Sequence, residues 1–223
     1  MSDDRSDELE PAEAPGPPTG RLADRLESRP AARVGSPFVR ALRDLAAVDR
    51  AVYQAVASTP TPALDGPLRV LTSAADHSKL WLGMAAVMFA FGGRKGRLAA
   101  LTGVTAIGLT SAVVNLPMKV AGARRRPDAD AAGVPEARRV EMPTSASFPS
   151  GHSASAGAFA TAVSSVAPAL GAPLGVAAAV VGYTRVHSGV HYPGDVVGGV
   201  LVGASIGHVV AWASRRRVQR RRA

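Results

Sequence analysis

Five stretches of the chain, 80–92, 98–118, 153–170, 172–184 and 196–213, carry almost no formal charge. A helix needs about 20 apolar residues to cross a bilayer. The second and fifth stretches meet that length, and the third nearly does. The first and fourth must borrow flanking residues. The pattern predicts an all-α integral membrane bundle of five spans, within a range of four to six. A soluble bundle of buried helices is the competing reading. Upstream, over 37–58, Ala41, Leu45, Val48, Val52 and Val56 recur at helical spacing, with Arg40, Arg43, Asp44, Asp49 and Arg50 between them. That is an amphipathic helix too charged to span. It either lies along the membrane surface or packs on protein. Residues 1–35 are polar and Pro-rich without apolar periodicity and are expected to be disordered. No apolar core follows a basic start there, so no cleavable signal peptide is expected. The chain therefore divides into a tail (1–35), a membrane domain (36–213) and a basic tail (214–223).

Composition sharpens this picture. Of the 223 residues, 47% are apolar and only 4% aromatic. Small residues suit closely packed membrane helices, and Gly199, Gly203 and Gly207 form a ladder on the fifth stretch that lets a neighbour approach. Cysteine is absent, which excludes disulfides, thiol nucleophiles and thiolate metal sites. The net charge of +9 sits in short clusters ("GGRKGR", "GARRRP", "SRRRVQRRRA") beside apolar runs. Membrane proteins carry charge in this way. A nucleic-acid partner would need a basic face with stacking aromatics, and neither is visible. With five spans, "RKGR" and the terminal arginines share one side, which the positive-inside rule puts in the cytoplasm. The loops 119–152 and 185–195 and the start of the first span then face outward. An odd count also sends the N-terminal tail outward.

Three polar islands mark that outer face: "KVAGARRRP" (119–127), "PSGH" (149–152) and "TRVHSGVHYPGD" (184–195). Lys119, Arg126 and Arg185 can surround a dianionic phosphate, with guanidinium groups binding its oxygens in bidentate fashion. Ser150 and Gly151 precede an apolar helix, whose N-terminal N–H groups favour an anion. His191 and Asp195 stand four apart, so a carboxylate can hold one imidazole nitrogen and leave the other free to attack. His152 is a second imidazole on the same face, suited to protonating a leaving oxygen. Each part alone has a plainer meaning as a cap, a loop hydrogen bond or a topology signal. Together they point to phosphoryl chemistry.

In order and spacing these islands resemble the three signatures of the type 2 phosphatidic acid phosphatase (PAP2) family, which shares a superfamily with the vanadium haloperoxidases. Lys119 with Arg126-Pro127 is similar to the first, Pro149-Ser150-Gly151-His152 to the second, and Arg185, His191 and Asp195 to the third. Thr184 stands where the family usually has Ser, and a hydroxyl is kept. The resemblance implies a helical membrane fold and removal of phosphate from a membrane lipid phosphate without metal or other cofactor. It also implies His191 as the nucleophile forming a phospho-histidine, Asp195 orienting it, and His152 protonating the leaving group. Lys119, Arg126, Ser150, Gly151 and Arg185 would hold the phosphoryl oxygens. The residues agree on the metal, since Asp128 and Asp130 are the only close carboxylate pair near the site and lie in a flexible-looking Asp/Ala/Gly stretch.

The remaining polar residues carry weaker expectations. Asp76, His77 and Lys79 open the first span on the site's side, either as an interfacial anchor or as a pocket rim. His187 is expected to make a surface hydrogen bond, and His208 an interhelical one. Asp195 should raise the pKa of His191. A prenyl phosphate or diphosphate is the first substrate expectation and a phosphatidate type the second. Competing readings are a haloperoxidase-like enzyme and a non-catalytic protein binding anionic lipid. The oligomeric state is open.

Overall fold

A computed structural model describes residues 36–220. The expected disordered tail, 1–35, and residues 221–223 of the basic tail lie outside the described residues. The chain divides into residues 1–42 and 43–223. Of the first unit, only the opening turns of one helix are described. All regular structure among the described residues is helical. Helix α1 runs over Pro37–Ser58, α2 over Pro62–Ala74, α3 over Lys79–Phe91 and α4 over Gly93–Val113. Then α5 covers Gly151–Ser164, α6 Gly171–His187 and α7 Pro193–Arg220. Each of the five apolar stretches forms a helix. Among the described residues three helices, Gly93–Ala121, Pro168–His187 and Pro193–Arg217, are long and apolar enough to cross a membrane.

The third expected stretch is broken. Helix α5 stops at Ser164, and the last residues of that stretch, Pro168–Leu170, form a 3₁₀ turn leading into α6. The hydroxyls of Ser164 and Ser165 both donate to the Thr161 carbonyl at 3.1 and 2.8 Å, drawing on a late-turn acceptor. Ala167 is pushed out of the helical region by the proline that follows. At 14 residues α5 is short, but it is the centre of the bundle, packed by α4, α6 and α7. Protein rather than lipid surrounds it, and Ser153–Phe159 are all buried. Helix α4 continues through a π turn, Val114–Met118, into Lys119–Gly122. Pro117 within that turn removes an N–H and forces the wider winding.

The glycine ladder sets the α5–α7 distance. A methyl at Gly199 would come within 2.5 Å of the Ser150 carbonyl oxygen, at Gly203 within 1.9 Å of that of Ala154, and at Gly207 within 2.5 Å of that of Ala158. The two backbones touch along three turns. His208, one residue beyond the last of these glycines, is exposed on the outer side of α7 and does not face a neighbouring helix as expected.

Helices α3, α5 and α7 begin at one end of the bundle, where α4 and α6 finish, so the three polar islands meet there. Helices α1 and α2 bind the same end. Tyr53 of α1 is buried with Ala132, Val134 and Val186. Arg138, 1% exposed, donates to Asp65 Oδ1 at 2.8 Å and to the Val56 and Thr59 carbonyls at 3.2 and 2.7 Å. It thereby satisfies the open carbonyls at the end of α1. His187 is buried rather than at the surface, because α2 covers it: Nε2 lies 2.9 Å from Thr61 Oγ1 and 3.3 Å from Asp65 Oδ1. The Asp/Ala/Gly stretch is also ordered. Asp128 Oδ1 accepts the Asp130 and Ala131 N–H groups at 3.0 Å, and Arg139 pairs with Asp130.

Candidate active site

His191 lies in the tight connection between α6 and α7. Gly189 ends α6 with φ +78°, a left-handed conformation that suits glycine at a helix C-terminus. Pro193 then starts α7 with its φ preset. Two helix ends thus fix a turn of five residues. Asp195 falls in the first turn of α7 and is fully buried. Its Oδ2 accepts the Ser147 hydroxyl at 2.5 Å and the Tyr192 N–H at 2.9 Å, and its Oδ1 accepts Arg124 Nη1 at 2.9 Å. His191 Nδ1 lies 3.5 Å from Oδ2 and 3.4 Å from Ser147 Oγ.

The other face of the imidazole decides its tautomer. Nε2 is 3.1 Å from Arg126 Nη1. A guanidinium can only donate, so Nε2 is the acceptor and the ring proton sits on Nδ1 toward the carboxylate. Burial pushes the His191 pKa down to about 4; the bond to Asp195 raises it, while Arg126 and Arg185 lower it further. The expected upward pull of Asp195 is present and outweighed.

Nε2 opens onto a cavity of about 520 Å³ lined by Lys119, Arg126, Arg185, Gly151, His152 and Asp76, among others. Lys119 Nζ donates to Ser145 Oγ at 2.9 Å, and Arg126 Nε to the Ser145 carbonyl at 2.9 Å. Arg185, 2% exposed, donates from Nη1 to Thr72 Oγ1 at 2.6 Å, while its buried Nε has no partner. A buried donor left open costs about 1–3 kcal/mol, so it suits an anion in the cavity. Gly151 and His152 bring the open N–H groups of the first turn of α5 to the same wall. Ser150 departs from the expectation. Its N–H donates to the Asp195 carbonyl at 3.0 Å and its Oγ accepts from Ser153, so it caps α5 and ties it to α7.

His152 Nε2 is 2.7 Å from Asp76 Oδ1. Asp76 belongs to the 3₁₀ turn between α2 and α3, in which His77 (φ 53°) and Ser78 (φ 63°) are both left-handed. Such residues cost on the order of 1 kcal/mol or more each. The Ser78 hydroxyl, donating to Ser155 Oγ at 3.1 Å, pins the turn against α5. Asp76 and His77 line the cavity; Lys79 is exposed and lies outside its lining. Among the described residues no group of three or more His, Cys, Asp or Glu is placed to hold a metal ion.

The sequence profile of the PAP2 superfamily matches residues 98–219. The chain belongs to this superfamily. Over 105 residues it is 35% identical to decaprenylphosphoryl-5-phosphoribose phosphatase of Mycobacterium tuberculosis, in the CDC 1551 / Oshkosh and the H37Rv strains alike. That match covers 44% of this chain and spans about half the length (53%) of these relatives. The fold is similar to the transmembrane PAP2-type phosphatidylglycerolphosphate phosphatase of Bacillus subtilis, with TM-score 0.57 and 25% identity over 78% of this chain and 87% of that one. It is also similar to LpxE of Aquifex aeolicus, with TM-score 0.58 and 24% identity over 73% and 94%. Like the Bacillus protein, this PAP2 chain is a helical membrane protein.

Beyond the PAP2 signatures, three residues about the dyad were not foreseen. Ser147 bridges the carboxylate and the imidazole. Arg124 reaches Asp195 with one nitrogen and Asp49 Oδ2 with the other, at 2.5 Å, and stacks over the Tyr192 ring at 4.2 Å. Asp49, on α1, also accepts the Gly194 N–H at 2.6 Å. Segment 123–127 is not helical. In an extended chain alternate residues share a face, and here Arg124 and Arg126 turn inward while Arg125 is exposed. That alternation was the one available signal.

Proposed function

We propose that this PAP2 protein is a metal-independent phosphatase acting on a membrane lipid phosphate. The observation that carries the reading is the unprotonated Nε2 of a neutral, buried His191, which meets Arg126 at the wall of a cavity with three cationic side chains. Lys119, Arg126 and Arg185 would hold the phosphoryl oxygens, with the N–H groups of Gly151 and His152. Burial and Arg185 hold the His152 pKa at about 4 in the empty site; the bound phosphate dianion would raise it so that the ring carries a proton. Nε2 of His191 attacks phosphorus, the P–O bond to the lipid alcohol breaks, and the alkoxide oxygen takes that proton from His152. The Nδ1 proton of His191 stays against Asp195, which stabilises the imidazolium-like phospho-histidine. Water, deprotonated by His152, then attacks phosphorus and breaks the P–N bond, releasing inorganic phosphate and restoring both histidines. Asp76, 2.7 Å from His152 Nε2, would hold the ring's orientation.

Residues 36–213 are proposed as the phosphatase domain, since Asp49 and Asp76 both reach the site. The positive-inside rule, applied to the arginines at the end of α7, supports a site on the outer face of a cell membrane. A prenyl-type carrier is the preferred lipid, supported by the name of the mycobacterial relatives, with a phosphatidate type second. Neither a haloperoxidase-like activity nor passive binding of anionic lipid calls for two imidazoles in one cavity together with helices able to cross a membrane. The test is phosphate release by the purified protein from a panel of lipid phosphates in excess EDTA. Turnover is expected to survive chelation and to fall at least ~10³-fold in His191→Ala, as loss of a covalent nucleophile demands. A strict Mg²⁺ requirement, or a variant within tenfold of wild type, would overturn the reading.

A further inference from the structure

Helix α1 meets the rest of the protein along one row of side chains and leaves a second row open. Asp49, Tyr53 and Ala57, four apart, form the inner row. Asp49 accepts the Gly194 N–H at 2.6 Å and Arg124 Nη2 at 2.5 Å, while Tyr53 and Ala57 are buried. Leu45, Val48 and Val52 form the open row, at 66%, 60% and 44% exposure. Each step along a helix turns by about 100°, so Val48 and Val52, one position before Asp49 and Tyr53, point about 100° to one side of the inner row. Arg50, one position after Asp49, points as far to the other side, and Arg43, seven residues earlier, shares its face; both are exposed. One flank of the seam is apolar and the other cationic. The seam itself lies at the start of a spanning helix. Gly194 is the second residue of α7, which is long and apolar enough to cross a membrane. Val197 and Leu201, one and two turns further on, are exposed on its side. Helix α1 thus joins α7 at the level where contact with hydrocarbon begins.

We infer that α1 docks on the bilayer and that this docking steadies the nucleophile's turn. Leu45, Val48 and Val52 enter the boundary between headgroups and acyl chains in the leaflet on the active-site side, and Arg43 and Arg50 face water and lipid phosphates. Two observations favour lipid over a protein partner. The open row adjoins the exposed apolar side of α7, so one surface continues the other. The split into an apolar and an arginine flank is also what an interfacial helix needs, with its apolar face about 5–10 Å into that boundary. The inference goes beyond the phosphatase reading and bears on it through Asp49. Contact of the open row with lipid fixes the roll of α1 about its axis, and that roll sets where the Asp49 carboxylate stands. Asp49 holds Gly194 directly and Asp195 through Arg124, so it is a positioning residue whose own support comes from the membrane.

The chain has no cysteine, so Val48→Cys and Ala51→Cys each give a single site for a fluorescent label in the full-length protein. Ala51 is exposed and, two positions beyond Asp49, lies about 200° around the helix from it, away from the seam. In phosphatidylcholine nanodiscs, doxyl-labelled phosphatidylcholine should quench the label at 48 at least ~3-fold more than the label at 51, and aqueous iodide should show the reverse order. Equal quenching by doxyl lipid, or a label at 48 that neither quencher reaches because protein covers it, overturns the docking. The second arm measures hydrolysis of a soluble monoester in the same nanodiscs. Val48→Asp should lower kcat about 3- to 10-fold and Ala51→Asp by less than about 1.5-fold; in an Asp49→Asn background the Val48→Asp loss should shrink to below about twofold, because the path through Asp49 is already cut. No loss in Val48→Asp, or a loss undiminished in that background, overturns the link to the nucleophile's turn. Absence of phosphate release by the wild type overturns the phosphatase reading, while the quenching result still decides the docking.

Discussion

Arg124→Gln tests whether the dyad depends on a side chain that no signature names. Arg124 ties the buried Asp195 (2.9 Å) to Asp49 (2.5 Å) and is 29% exposed. A glutamine amide can reach one of these carboxylates but not both. Asp195 would keep Ser147 and the Tyr192 N–H, so the full 3–5 kcal/mol of an uncompensated buried charge is not expected. The loss is nearer one charge-assisted hydrogen bond, about 1.5–3 kcal/mol. Expressed in the transition state, this lowers kcat/KM by about 10- to 150-fold. Asp49→Asn should cost less, because Asp195 keeps its direct contacts. Part of that cost runs through Arg124, so the double variant should be better than the product of the two singles by a coupling of about 1 kcal/mol. Phosphate release with one soluble monoester across all four proteins measures it. Coupling below about 0.3 kcal/mol would show that Asp49 and Arg124 act separately, and the bridge would then have no part in positioning the dyad.

Three further outcomes follow from the structure. Because burial holds the His191 pKa at about 4, the acid limb of kcat/KM should fall near pH 4; a midpoint near 6.5 would mean the imidazole is solvated in the empty enzyme. Between pH 6.5 and 4 the unfolded chain binds a proton at this histidine that the folded chain refuses, so its share of stability, about 3 kcal/mol, is present above pH 6.5 and is lost as pH falls through that window. Gly203→Ala places a methyl within 1.9 Å of the Ala154 carbonyl oxygen, and forcing α5 and α7 apart should cost about 1–3 kcal/mol; an unchanged thermal inactivation midpoint would contradict the backbone contact.

What the sequence disclosed was whatever repeats or stands close along the chain. The helix at 37–58, the apolar stretches and the glycine ladder all have a period, and His191 and Asp195 are neighbours on one turn. The segment "TPTPALDGPLRV" has no clear period and carries proline and glycine, so α2 was not anticipated. Without α2, His187 looked like a surface residue and Thr72 had no link to Arg185. Asp49 was read as one more charge on the outer face of α1, since nothing local marks a carboxylate whose partners are Arg124 and Gly194. Ser150 was misjudged for a similar reason: the group that takes its N–H, the Asp195 carbonyl, arrives from another helix.

The contact of Asp49 with Gly194 joins residues 145 apart, that of Tyr53 with Gly189 residues 136 apart, and that of Arg124 with Asp195 residues 71 apart. During synthesis Asp49 is made well before the turn that carries His191. No early fragment can hold a working half-site, and closing loops of this length comes late in assembly. Full activity is therefore expected only after α1 has reached the start of α7 and Asp49 has met Arg124 and Gly194.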